Sequence, residues 1–259
     1  MLTRASGQAD EMASFFEALG AEVIRCPTIE FAPPDDWVPL DDAIARIRSY
    51  DLIVFTSANG VRFFLQRLAE RHPSGSQVVD EMTCCAIGPA TAAALETAGV
   101  RVDIVAADSK AEGALAAIVG RLGGTAALRG LRVLIPRAAV ARDLLPDELR
   151  RLGARVDAPA AYKTIRPPHV DGKEIANLFR KKTIDAVALT SSSTVSNLAA
   201  LVGVESLENL LRGVVVGCIG PITAAKAAEY GLKDVVQPQA YTSVALARAI
   251  ADALLQPVR

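Results

Sequence analysis

The chain has 259 residues, 28 Lys and Arg against 29 Asp and Glu, and a formal net charge of −1. A hydrophobic fraction of 51% supports a real core and excludes a disordered chain, while balanced charge excludes a non-specific nucleic-acid binder. Two histidines, His72 and His169, and four cysteines, Cys26, Cys84, Cys85 and Cys218, leave little material for a zinc site or a histidine-based triad.

Short β-rich runs alternate with amphipathic ones along the whole sequence. The first part predicts helix 10–19, strand 22–25, helix 40–48, strand 52–56, helix 60–71, strand 83–87, helix 90–98 and strand 102–105. The middle predicts helix 112–121, strand 132–136, helix 141–152 and strand 155–158. The last part predicts helix 172–181, strand 186–190, helix 194–201, strand 214–219, helix 222–230, strand 234–237 and helix 243–255. Gly20, Gly99, Gly153 and Gly231 each stand between a helix and a strand, as a helix-ending glycine would. Strict alternation implies parallel sheets covered on both faces, so the fold class is α/β.

The start does not read as a signal peptide. The longest uncharged stretch, 186–204, is rich in Ser and Thr, so no membrane span is expected. The cysteines lack metal-site spacing and three sit in apolar runs, so they are expected reduced and buried in a cytoplasmic protein.

The chain repeats itself. Asp51-Leu-Ile-Val-Phe-Thr-Ser-Ala-Asn-Gly-Val61 resembles Asp185-Ala-Val-Ala-Leu-Thr-Ser-Ser-Ser-Thr-Val195. Ile87-Gly-Pro-Ala-Thr91 resembles Ile219-Gly-Pro-Ile-Thr223, and Leu2-Thr-Arg4 resembles Ile135-Pro-Arg137. All three pairs lie about 133 residues apart in the same order, which indicates a duplicated domain-sized unit rather than a solenoid. Two segments that run into Pro-Pro, 28–37 and 161–169, follow the second strand of each copy and read as extended crossings between domains. With two crossings the domains interleave. Residues 1–29 join 167–259, residues 36–158 form the other domain, and 30–35 with 159–166 are the linker strands.

The repeated motifs fall in strand-to-helix turns, at the carboxyl ends of parallel strands where ligands bind. Their hydroxyls and first-turn N–H groups suit an anion. Ordinary N-capping is the competing use of the same residues.

Taken together, Thr3-Arg4, Phe55-Thr-Ser-Ala-Asn-Gly-Val61, Ile87-Gly-Pro-Ala-Thr91, Tyr162-Lys-Thr164, Leu189-Thr-Ser-Ser-Ser-Thr194 and Ile219-Gly-Pro-Ile-Thr223 resemble uroporphyrinogen-III synthase over essentially the whole chain. The resemblance implies two flavodoxin-like parallel-sheet domains joined by a two-stranded linker. It also implies a cyclising lyase that needs no cofactor. Such an enzyme closes hydroxymethylbilane, a linear polycarboxylated tetrapyrrole, to uroporphyrinogen III with loss of water and inversion of the last ring.

On that resemblance Tyr162 is the candidate donor to the leaving hydroxyl. The candidate substrate binders are Arg4, Thr56, Ser57, Asn59, Gly88, Thr91, Arg137, Ser191, Ser192, Ser193, Thr194, Gly220 and Thr223. Lys110 and Tyr241 are weaker candidates near the last turn of each copy, and both histidines are expected at the surface. Expected partners are the small-molecule substrate and, transiently, the preceding pathway enzyme, with neither nucleic acid nor membrane. One departure stands out: the first copy opens at Met1-Leu-Thr-Arg4, where the second has a full strand. The competing reading is a cytosolic two-domain small-molecule-binding or sensor protein, since paired crossings between α/β domains also describe that class.

Overall fold

Strand and helix alternate throughout the computed structural model, which describes residues 1–4, 10–106, 111–141, 143–203 and 207–255. The chain runs through α1 (Asp10–Ala18), β1 (Glu30–Ala32), α2 (Val38–Ala45), β2 (Leu52–Phe55), α3 (Ala58–Arg71), β3 (Thr83–Ile87) and α4 (Pro89–Thr97). It continues with β4 (Ile104–Ala106), α5 (Ala111–Leu122), β5 (Arg132–Leu134), β6 (Arg137–Ala138), α6 (Leu144–Arg151), β7 (Arg155–Asp157) and β8 (Ala160–Ile165). It ends with α7 (Gly172–Arg180), β9 (Ala186–Leu189), α8 (Ser192–Val202), β10 (Val215–Cys218), α9 (Pro221–Glu229) and α10 (Ser243–Leu255). Two compact units result: Met1–Glu30 with Ile165–Arg259, and Phe31–Thr164. We call these the outer and middle units, for their places in the sequence.

The middle unit is built on a five-stranded sheet in the order β4-β3-β2-β5-β7. Every pairing in it is parallel. Successive side chains of a strand point to opposite faces, so an apolar run feeds two cores at once. Along β2, Ile53 and Phe55 enter one core with Leu40, Phe64 and Leu68. Leu52 and Val54 enter the other with Ile118, Leu128 and Leu149. Adjacent Cys84 and Cys85 divide in the same way. Burying each large apolar side chain contributes about 1.5–3 kcal/mol.

The outer unit pairs β10 with β9 in parallel. Single parallel bridges add Leu2 beside Ala188, Arg25 beside Leu2, and Val236 beside Gly217. Its spatial order is therefore Arg25, Leu2, β9, β10, Val236. One face packs Val187 and Leu189 against Leu198 and Phe179. The other packs Ala188 under α1 and α10 through Phe16, Leu246 and Ile250. Gly217 makes that contact close: a Cβ there would run into the Ile250 and Leu246 side chains.

The two sheets share one plan. If the strands of the middle unit are counted from β5, as β5, β7, β2, β3, β4, the spatial order is 2-1-3-4-5. The outer unit has the same order when counted from Leu2. This is the flavodoxin arrangement, with its switch point between the first and third strands. The middle unit is circularly permuted relative to the outer one. Its strands three to five precede strands one and two in the chain. β1 and β8, where the chain passes from one unit to the other, lie side by side in a small sheet of order β1-β8-β6.

The expected strands at 22–25 and 234–237 reduce to the single bridges at Arg25 and Val236. Arg25's neighbour is the short segment at Leu2, which leaves little partner backbone for a longer ladder. The helix expected over 40–48 begins at Val38 and stops at Ala45, followed by a 3₁₀ turn over Ile47–Ser49. Further 3₁₀ turns at Gly75–Glu81 and Thr125–Leu128 carry no clear hydrophobic period and escape a periodicity reading. The helix-ending glycines Gly20, Gly99, Gly153 and Gly231 all have positive φ, from +74° to +96°, where a Cβ would be strained.

Candidate active site

The switch point of the middle unit lies between β5 and β2. The chain leaves β2 through Thr56 and enters α3 with Ser57 as its N-cap, at φ −162° and ψ 153°. Ser57 Oγ accepts the Gly60 N–H at 3.0 Å, which satisfies one of the orphan donors of the first turn. Gly60 is needed for closeness: a Cβ there would sit 3.3 Å from the Pro136 carbonyl oxygen, just beyond β5, and 3.3 Å from Ser57 Oγ.

Tyr162, on β8, closes this corner. Its hydroxyl is 3.0 Å from Ser57 Oγ. Its ring stacks on Phe63 at a centroid distance of 5.6 Å and meets Phe31 edge-on at 5.7 Å. Only 7% of the residue remains exposed, so it is a packed phenol with a fixed hydroxyl position. Phe31 and Phe63 are site residues that the sequence reading missed. They lie in the expected crossing at 28–37 and the expected helix over 60–71, and what marks them is contact with Tyr162.

The other middle-unit candidates divide by burial. Thr56 is exposed and Asn59 half-buried at the head of α3. Gly88 is the N-cap of α4 with φ +82°, and its N–H donates to the Ala106 carbonyl. Thr91, on the first turn of α4, is 3% exposed. Arg137 is ion-paired with Asp143 at 2.5 Å. Lys110 lies outside the described residues.

The equivalent corner of the outer unit has Ser191 as N-cap of α8, at φ −162° and ψ 162°. Ser191 Oγ accepts the Thr194 N–H at 3.2 Å and lies 2.9 Å from Ser193 Oγ. Thr194 returns the favour: its Oγ1 accepts the Ser191 N–H and donates to the Ser191 carbonyl oxygen. This capping box engages the Thr194 hydroxyl in the helix start. Ser192 is half-buried and Ser193 exposed.

Across the switch point Thr3 Oγ1 donates to the Ala188 carbonyl at 2.6 Å, and Arg4 Nη1 donates to Ser243 Oγ at 2.8 Å at the start of α10. Gly220, the N-cap of α9, is extended at φ −176°. A Cβ on it would meet the Tyr241 ring at 3.2 Å, so the glycine lets that ring lie against the turn. Tyr241 and Ile222 are 65% and 76% exposed, whereas Thr223, on the first turn of α9, is 4% exposed, close to its duplicate Thr91 at 3%.

Titration marks other places. Hydrogen bonding from Arg67, against the cost of burial and with help from Arg71, holds Asp41 down at about 2. Burial, and then donation to Asp157 at 2.5 Å, push Tyr50 up to about 12. Burial opposes the charge on Asp157, but the Tyr50 and Arg46 bonds outweigh it and leave the carboxyl below its usual range. These groups brace helices and strands and touch none of the turns. Burial also pushes Cys26 and Cys218 up to about 11, and Cys84 and Cys85 up to about 12, so all four free thiols are poor nucleophiles. His169 is 60% exposed in its side chain, 3.6 Å from Glu30, and His72 is half-buried at the end of α3. No group of three metal-ligating side chains occurs among the described residues. No described helix is long and apolar enough to cross a membrane.

A cavity of about 560 Å³ in the outer unit is lined by Leu2, Val23, Ile184, Asp185 and Ile250 among others. It opens at the amino ends of the strands, away from the turns, and has no convergent donors.

Residues 10–248 match the family model described as uroporphyrinogen-III synthase HemD. A uroporphyrinogen-III synthase of Synechococcus elongatus is 33% identical over 255 residues, covering 96% of this chain and 93% of the relative. One of Escherichia coli is 26% identical over 250 residues, covering 96% and 98%. Two solved structures share the fold at 18% identity. A Thermus thermophilus uroporphyrinogen III synthase has a TM-score of 0.62 over 98% of both chains, and a Helicobacter pylori uroporphyrinogen-III synthetase has 0.60 over 90% and 94%. The two flavodoxin-like units, the repeated turns and the likeness along almost the full length agree: the chain belongs to the uroporphyrinogen-III synthase family, cyclising lyases of tetrapyrrole biosynthesis.

Proposed function

We propose that the enzyme acts on hydroxymethylbilane by positioning it, with Tyr162 as donor to the departing hydroxyl. The observation that carries this reading is the Tyr162–Ser57 corner, a phenol held by two aromatic rings and one hydrogen bond at a flavodoxin switch point. Ligands bind at that place in open parallel sheets. A phenol is protonated at neutral pH and can hydrogen-bond a leaving oxygen.

The carboxylates of the substrate meet the helix starts. The first N–H groups of α3, α4, α8 and α9 have no partner within their helices. Each hydrogen bond to a charged group contributes about 1.5–3 kcal/mol, so the α3 and α4 turns in the middle unit, and those of α8 and α9 in the outer unit, each suit carboxylates without a basic patch. Exposed or half-buried Thr56, Asn59, Ser192 and Ser193 supply side-chain donors beside those amides. Arg4 adds a charge-assisted contact. Exposed Tyr241 and Ile222 offer apolar surface to the pyrrole rings next to the Gly220 turn. Thr91 and Thr223, on the first turns of α4 and α9, and Arg137 are further candidate contacts to carboxylates, and the capping box gives Thr194 a structural use as well. Gly88 and Gly220 open the paths to the α4 and α9 amides.

The reaction then needs no redox chemistry from the protein. The carbon–oxygen bond of the hydroxymethyl group breaks, and the oxygen leaves as water with the phenol proton. The resulting cation is attacked by the substituted carbon of the last ring to give a spiro intermediate. The bond from that carbon to its original bridge then breaks and re-forms at the unsubstituted α-carbon, and the proton lost there as the ring regains aromaticity returns to Tyr162. Orientation toward the less direct closure is the main task of the site. We further infer a cytoplasmic enzyme that receives its substrate by transient contact with the enzyme that makes it. The four buried free thiols support the reducing compartment.

The test is turnover of freshly generated hydroxymethylbilane, with the porphyrin isomers separated after oxidation. Isomer III is expected from the native chain, and Tyr162→Phe is expected to lower kcat at least tenfold. Full turnover by Tyr162→Phe would remove Tyr162 from the donor role.

A further inference from the structure

We propose that Ser57 is a positioning residue: it donates its hydroxyl proton to the Tyr162 oxygen and so turns the phenol proton toward the substrate. This rests on the donor role of Tyr162 and assigns Ser57 a role other than gripping a carboxylate.

A serine hydroxyl has one proton and two acceptor sites. At Ser57 one acceptor site is filled by the Gly60 N–H at 3.0 Å. The 3.0 Å contact with Tyr162 leaves two arrangements. If Tyr162 donates, its proton is spent inward and the phenol has nothing to give. If Ser57 donates, the phenol oxygen accepts, and the phenol proton takes the other in-plane direction. Accepting a backbone N–H polarises the Ser57 hydroxyl and strengthens it as a donor. The amino end of α3 also favours electron density on the phenol oxygen over a proton directed at the helix. Both effects select the second arrangement. Phe63 and Phe31 pin the ring, so the hydroxyl torsion is the freedom that Ser57 controls.

The duplicated unit provides an internal comparison. Ser191 caps α8 with the same backbone angles and the same N–H acceptance, yet its remaining contact is Ser193 Oγ. Capping therefore does not require a phenol partner. The Ser57–Tyr162 contact is an addition at one of two equivalent switch points, the one that carries the tyrosine.

During the reaction Tyr162 gives its proton to the departing hydroxyl, which leaves as water. The phenolate keeps the Ser57 hydrogen bond and faces the amino end of α3. The proton shed by the last pyrrole ring on closure restores the phenol. Ser57 keeps its own proton throughout.

The experiment is a double-mutant cycle on the full chain, read as kcat and KM for hydroxymethylbilane. Ser57→Gly removes the hydroxyl, and glycine is among the residues best tolerated at an N-cap. The expected result is a loss of about tenfold in kcat with KM within twofold. Ser57→Thr keeps both cap and donor and should stay within threefold of native kcat. In the Tyr162→Phe background Ser57→Gly should cost nothing further, because its effect runs through the phenol. Losses that multiply in the double variant, or a Ser57→Gly effect confined to KM, would overturn the proposal. A Tyr162→Phe enzyme with native kcat is a different result: it would sink the donor reading itself.

Discussion

Asp41 shows how much a single residue can brace without being part of the chemistry. Its carboxylate accepts from Arg67 at 2.7 and 2.6 Å and from Arg71, and only 19% of its side chain is exposed. Its folded value of about 2 lies below the unfolded carboxylate value near 3.9. The charged form is thus favoured by folding. The stabilisation is fully present above about pH 4 and is lost as pH falls toward 2. Its size is about 2–3 kcal/mol at most. Asp41→Asn should therefore cost stability in urea at pH 6 and about a third as much near pH 2.5. A cost independent of pH would show that packing, not charge, is what Asp41 supplies. The Asp41 network was not legible in the sequence, because it joins α2 to α3 through side chains 26 and 30 residues apart. Ser57 was legible as a helix cap from its turn motif. Its bond to Tyr162, at a separation of 105 residues, was not.

Elements are set by local pattern and then trimmed by contact. The strand expected over 83–87 is found at those bounds, as is the helix over 243–255, because each carries an uninterrupted apolar pattern. The strands leading into Ser57 and Ser191 stop one residue early, at Phe55 and Leu189. The following threonine already belongs to the turn that presents the cap. Glycines inside helices mean opposite things, and sequence does not distinguish them. Gly172, at the start of α7, is buried, and a Cβ there would overlap the Leu201 carbonyl oxygen of α8. Gly120, within α5, is exposed and has open space around it. Gly172→Ala should destabilise by about 3 kcal/mol, since backbone must move. Gly120→Ala should stabilise by about 0.5–1 kcal/mol through helix propensity. Thermal melts of the two variants test this together. Equal shifts would mean that the α7–α8 approach relaxes without cost.

For the whole molecule, the repeat of about 133 residues was the most informative feature of the sequence, because it exposes duplication before any strand is placed. The permutation followed only when strand order was known: β5 is first in its sheet although three strands of that sheet precede it in the chain. Permutation has a physical consequence. The middle unit, Phe31–Thr164, is one uninterrupted stretch with a five-stranded sheet and a core on each face. The outer unit must bring Met1–Glu30 back to Ile165–Arg259 before its Leu2 bridges can form. Residues 31–164 expressed alone should therefore fold, since the pairings of their five-stranded sheet and both cores are internal. The expected result is a native-like far-ultraviolet circular dichroism spectrum and one cooperative urea transition, with no cyclase activity. Residues 165–259 alone should lack such a transition, because β9 loses its neighbour at Leu2 and α10 loses the packing of Phe16 from α1. A middle fragment that melts without cooperativity would show that its sheet depends on the outer unit, and the duplicated plan would then describe ancestry rather than independent folding.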